Sequence, residues 1–163
     1  MAKAKPSMTP AIRALKAAKA SYQARLYTYQ EKGGTRVSSA DLGVDEHCVI
    51  KTLVLQDQAN KPLIILMHGD RQVSFKALAR AIGARQVTPS TPAEAQKRSG
   101  YQVGGTSPFG LKTPMPIYAE ATVLQLPMLW INGGKRGQLV QLSGAELQRI
   151  LQPTPVQASQ PVP

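Results

Sequence analysis

The sequence predicts a single domain of the α+β class built on a mixed sheet. Short runs at strand period, such as CVIKTLVL at 48–55 and PLIILM at 62–67, are interspersed with capped helical segments, without the strict alternation of a parallel α/β fold. The 163 residues are 42% hydrophobic and only 18% charged, a composition that supports one packed core and excludes a disordered chain. No internal repeat is present, and no apolar run reaches the roughly 18 residues needed to span a bilayer.

Taken in order, residues 1–8 read as a flexible basic arm, residues 9–152 as the domain, and residues 153–163 as a tail. Thr9-Pro10 starts a helix that runs to about residue 20, with Thr as N-cap and Pro in the first turn. Residues 22–29 read as a strand broken by Gly33-Gly34, and 38–42 as a short helix ended by Gly43. The strands at 48–55 and 62–67 follow, the second apolar throughout and so buried on both faces. Ser74 caps a helix that Gly83 closes, and 85–88 reads as a strand. Thr91-Pro92 opens a helix ended by Gly100. Residues 116–119, 128–131 and 138–142 read as strands, with Asn132-Gly133-Gly134 as the turn between the last two. Ser143 caps a final helix to residue 151, and the four prolines of QPTPVQASQPVP predict a disordered tail.

Net charge is +11, and residues 1–36 hold eight basic side chains against the single Glu31. Such a surplus fits a polyanionic partner such as nucleic acid, and equally a solvated surface that maintains solubility. Phe75, Phe109, Trp130 and five tyrosines do not form the sheet-borne aromatic cluster of a single-strand binder of the RRM type. The single Cys48 permits no internal disulfide, and no apolar leader is recognised near residue 1, so a cytoplasmic location is expected.

Lys51 is the chief anomaly. It shares a strand face with Val49, Leu53 and Leu55, where an ammonium needs a counter-charge or a cavity. A lysine on an edge strand could extend its head to water instead. Apolar neighbours on both faces favour a central strand and a lysine that lines a pocket. The GGTSPFG segment at 104–110 permits close backbone approach to a ligand, although Gly-Gly and Ser-Pro also mark ordinary turns. No Gly-Lys-Ser/Thr follows, so it is not a Walker loop. His47, His68 and Cys48 lack metal-ligand spacing, and no nucleophile elbow is present. Ser74 is explained as a helix cap, and Cys48 as a small buried hydrophobe on the opposite strand face from Lys51.

Together VIKTL at 49–53, GYQVGGTSPFG at 100–110 and INGGKRG at 131–137, after TPAIRALKAAKASYQARLYTY at 9–29, resemble the YbaK group of aminoacyl-tRNA deacylases. This group is related to the editing domain of bacterial prolyl-tRNA synthetases, and the resemblance covers about residues 8–151. It implies a mixed, barrel-like sheet surrounded by helices. It also implies a hydrolase that removes mischarged amino acids from tRNA in trans, with Cys-tRNA(Pro) as substrate and no cofactor or metal. Carried over residue by residue, Lys51 matches the group's essential lysine and Gly104 the loop glycine facing the scissile ester. Tyr29, Thr52, Gly105, Thr106, Ser107 and Asn132 would contact the substrate. Lys16, Lys19, Lys135 and Arg136 would hold the tRNA backbone. The implied partners are the aminoacylated 3′ end of tRNA and prolyl-tRNA synthetase, with no membrane. YbaK itself carries a serine where this chain has Asn132 and an aspartate where it has Leu139, which leaves two alternatives open. One is a deacylase for another small amino acid, such as Ala-tRNA(Pro). The other is an inactive tRNA-binding or synthetase-partner module.

Overall fold

The computed structural model describes residues 4–163. The chain runs α1 (Pro10–Ala17), β1 (Gln23–Leu26), α2 (Gly34–Leu42), β2 (Val49–Asp57), β3 (Pro62–His68), β4 (Arg71–Val73), α3 (Phe75–Ile82), β5 (Val87–Pro89), α4 (Pro92–Ser99), β6 (Ile117–Glu120), β7 (Leu129–Lys135), β8 (Gln138–Leu142), α5 (Gly144–Leu151), β9 (Thr154–Val156) and β10 (Ser159–Pro161), with 3-10 turns at Glu46–Cys48 and Val123–Gln125.

The predicted mixed sheet is present, in the order β1-β8-β7-β2-β3-β6-β9, with β5 also paired to β2 and β10 paired separately to β4. β2 runs antiparallel to β3 and parallel to β7, so Lys51 sits in a central strand. The apolar run of β3 is explained by its position between two cores. Ile64 and Leu66 face one core, with α1, α5, Phe109 and Ile131. Leu63, Ile65 and Met67 face the other, with α3, Val73, Val87, Val156 and Ala158. Strand alternation sends successive residues to opposite sides, so Ile50 and Val54 join the first core while Leu53 and Leu55 join the second.

The four hydroxyl caps read from the sequence form as expected: Thr9, Ser74, Thr91 and Ser143 accept from the N–H groups of Ile12, Ala77, Glu94 and Glu146.

Several boundaries differ from expectation. β1 covers only Gln23–Leu26, and α2 begins at Gly34, four residues before the predicted start. Cys48 ends a 3-10 turn and is half-buried; it is neither in the strand nor fully enclosed. Asn132-Gly133-Gly134 is part of β7, with an irregularity between Asn132 and Lys135, so the chain reverses at Arg136-Gly137. Of the predicted arm, residues 1–3 lie outside the described residues. Ser7 is tied down: its N–H donates to Gln138 Oε1, and Gln138 Nε2 donates back to its carbonyl.

The tail predicted as disordered instead forms β9 and β10, paired to β6 and β4. Val156 and Ala158 enter the second core. The Ala158 N–H donates to buried Glu120, and its carbonyl accepts from the Ser74 N–H. Proline cannot donate to a ladder, but β9 is an end strand where Pro155 is tolerated. The proline content had concealed the two small apolar residues that anchor the segment.

Candidate active site

β2 and β7 bring Lys51 and Asn132 to the same face. Val49 lies beside Trp130 and Ile50 beside Ile131, and the next residue of each strand turns away from the first core. The Lys51 Nζ donates to the Arg71 carbonyl at the start of β4. Burial lowers the lysine's pKa from its ordinary value, opposed in part by the nearby carboxylates of Glu46 and Asp70. The ammonium therefore has the cavity that its sequence position demanded. It lines a groove of ≈ 590 Å³ with Leu53, Gln72, Ser74, Phe75, Lys76 and Gln160 among the other walls.

Asn132 links this face to the glycine-rich loop. Its Nδ2 donates to the Gly104 carbonyl at 3.1 Å, while its Oδ1 accepts from the N–H groups of Gly134 at 2.7 Å and Lys135 at 3.2 Å. Gly104 has φ +89, and a Cβ there would lie 2.8 Å from the Tyr29 hydroxyl. A Cβ on Gly105 would lie 2.9 Å from the backbone nitrogen of Arg136. Gly105 is therefore required by close backbone approach, and Gly104 by its left-handed backbone. Arg136 Nε donates to the Val103 carbonyl at 2.8 Å, and its guanidinium stands 5.0 Å from the centre of the Tyr29 ring. Tyr29, Gly104, Gly105, Asn132 and Arg136 thus form one cluster at the end of the β7–β8 hairpin. The Gly105 N–H is occupied by the Gln102 carbonyl. Those of Gly104 and Thr106 make no hydrogen bond among the described residues, which leaves donors suited to a developing oxyanion.

Other predicted site residues lie elsewhere. Thr52 points to the first-core side, away from Lys51, and its hydroxyl is enclosed without a hydrogen-bond partner among the described residues. Ser107 is fully buried, and its hydroxyl accepts from the Phe109 N–H. Lys16 and Lys19 accompany α1, whose Ala11, Ile12 and Leu15 pack on the sheet face opposite Lys51. Lys135 Nζ donates to the Ser7 hydroxyl. Leu139, directly across from Asn132 in the β7–β8 ladder, is only 4% exposed and adds an apolar wall beside the site.

Sequence reasoning missed the part played by Arg71, because a backbone carbonyl leaves no signature in residue type. It also missed the stacked imidazoles of His47 and His68, whose ring centres are 3.8 Å apart. His47 bonds Asp70, and His68 bonds the His47 carbonyl and the Thr122 hydroxyl. Among the described residues no group of three or more His, Cys, Asp and Glu side chains is arranged to hold a metal ion, and no helix is long and apolar enough to cross a membrane.

Comparison with known proteins bears on the family and the fold. A family model described as an aminoacyl-tRNA editing domain matches residues 34–150. EbsC of Enterococcus faecalis, a candidate Cys-tRNA(Pro)/Cys-tRNA(Cys) deacylase, is 29% identical over 145 residues, 88% of each chain. A proline–tRNA ligase of Thermodesulfovibrio yellowstonii is 33% identical over 87 residues, which are 53% of this chain and 15% of the ligase. The crystal structure of a candidate trans-editing enzyme for prolyl-tRNA synthetase shares the fold, with a TM-score of 0.81 and 20% identity across 94% of this chain and 99% of that one. The crystal structure of hypothetical protein APE2540 does so too, with a TM-score of 0.85 and 21% identity across 93% and 99%. The family match begins at the start of α2 and ends one residue short of the end of α5, and by it the chain belongs to the aminoacyl-tRNA editing domain family.

Proposed function

We propose that this protein is a trans-acting deacylase that hydrolyses the ester of mischarged aminoacyl-tRNA, with Cys-tRNA(Pro) as its foremost substrate. The observation that carries the reading is that the paired strands β2 and β7 turn Lys51 and Asn132 to one sheet face, with Asn132 in turn holding the Gly104 carbonyl of the loop. Lys51 would bind a phosphate or ester oxygen of the terminal nucleotide as a point charge. The Gly104 N–H would face the ester carbonyl and stabilise its oxyanion. No nucleophilic side chain is needed when the substrate supplies one. The cysteinyl sulfur would attack its own carbonyl carbon, forming the S–C bond of a thiolactone and breaking the C–O bond to the ribose. The thiol proton would pass to the departing ribose oxygen, and water would then open the thiolactone. The protein's contribution is positioning and electrostatics. Acceptor binding would draw on Arg136 at the cluster, with Lys135, Lys16 and Lys19 adding non-specific attraction to the phosphate backbone. Prolyl-tRNA synthetase is the natural candidate for a protein partner, as the source of such mischarged tRNA.

A second reading is favoured by Leu139. With an apolar wall across from Asn132, the site would accept a small uncharged amino acid such as alanine, and water would be the nucleophile.

Purified protein and Lys51→Ala are to be incubated with cysteinyl-, alanyl- and prolyl-tRNA(Pro), and loss of each ester followed. Cleavage of the cysteinyl ester alone supports thiol assistance, and cleavage of the alanyl ester alone rules it out as obligatory. If no mischarged ester is cleaved faster than in buffer, the enzyme reading fails. If Lys51→Ala matches wild type, the site assignment fails.

A further inference from the structure

The groove beside Lys51 has a character that ester hydrolysis does not require. Its walls include Lys51, Gln72, Ser74, Phe75, Lys76 and Gln160, and no carboxylate lines it. Phe75 is the first residue of α3 and is 36% exposed, whereas Leu78 and Ala79 of the same helix are buried. The Lys76 ammonium makes no hydrogen bond or ion pair among the described residues and carries its charge to the groove unneutralised. An exposed phenyl ring, two ammonium groups and two carboxamides match the chemistry of a base joined to a phosphate. Aromatic rings stack on the face of any base, lysines bind phosphate, and carboxamides bond to base edges.

We propose that this groove is a subsite for an unpaired nucleotide of the tRNA 3′ end, adjoining the terminal residue that bears the ester. Phe75 lies under the base and Lys76 meets the phosphate. The assignment rests on the deacylase reading, which brings that end to Lys51. An unpaired end suits the site because only an unstacked base exposes its face to a side chain. The C-terminal strand becomes part of the subsite. Gln160 stands opposite Gln72 in the β10–β4 ladder. Ser159 accepts from Arg71 Nε at 2.7 Å, and the carbonyl of that arginine holds Lys51.

The test is a binding cycle with uncharged tRNA(Pro), intact or trimmed of its unpaired 3′ end, measured by fluorescence anisotropy for wild type, Phe75→Ala and Lys76→Ala. Both side chains are exposed, so the variants are expected to keep the fold. Phe75→Ala should weaken binding of intact tRNA by about tenfold, the scale of a lost base stack, and leave trimmed tRNA unaffected. Lys76→Ala should weaken intact tRNA and reduce the salt dependence of its binding. Equal binding of intact tRNA by wild type and both variants overturns the proposal, as does equal weakening for intact and trimmed tRNA. Failure of the deacylase reading is recognised separately, from the ester assays, because this cycle involves no ester.

Discussion

Replacing Gly104 with alanine tests the cluster at the hairpin end. Two costs are expected. The backbone holds φ at +89, where an L side chain is strained by about 1–3 kcal/mol. The added Cβ would also stand 2.8 Å from the Tyr29 hydroxyl, so the ring must move and loosen its contact with Arg136, a loss of about 0.5–1 kcal/mol. Together these come to roughly 2–4 kcal/mol, or a fall in Tm of about 5–12 °C for a domain of this size. Thermal melting of Gly104→Ala, Tyr29→Ala and the double variant separates the two terms. In the Tyr29→Ala background only the backbone cost remains, so the alanine should destabilise less there than in wild type. Deacylation by Gly104→Ala should fall at least tenfold, because about 1.4 kcal/mol of misplaced transition-state stabilisation suffices. A Gly104→Ala protein as stable and active as wild type would refute the reasoning, and an equal cost in both backgrounds would refute the role of Tyr29.

Because burial lowers the Lys51 pKa below 10.5, the deacylation rate, corrected for spontaneous hydrolysis, should decline on the alkaline side before pH 10.5, and Lys51→Arg should move that limb upward. The unfolded chain holds the extra proton between the lowered value and 10.5, so Lys51 contributes stability that increases with pH across that window. His68 behaves likewise at lower pH: burial lowers its pKa from 6.5, opposed in part by its bond to the His47 carbonyl. Its contribution is fully present above 6.5 and is lost as pH falls through the folded value, so Tm should drop as pH is taken below 6.5, less steeply in His68→Gln. Truncation after Gln152 should lower stability by more than the roughly 1.5–3 kcal/mol of burying Val156, since Glu120 also loses the Ala158 N–H; an unchanged melting curve would show that β9 and β10 contribute nothing.

Much of the fold was legible because its signals were local. Hydroxyl caps, the closing glycines at 43, 83 and 100, and the two-sided apolar run of β3 each follow from nearby residues. The tail was misread because proline content is local, whereas the pockets that receive Val156 and Ala158 come from α3 and β3. At the site, Lys51 was legible because it broke a periodicity. The pairing of Asn132 with Gly104 was not, because the two are 28 residues apart and meet only through the fold. Thr52 shows the limit of reasoning by adjacency: next to Lys51 in sequence, it points to the other side of the sheet.

The course of the last residues has a practical consequence for anyone handling the protein. An affinity tag or fused domain joined after Pro163 would emerge three residues beyond Gln160, at the rim of the Lys51 groove. A label joined there would thus compete with tRNA for space.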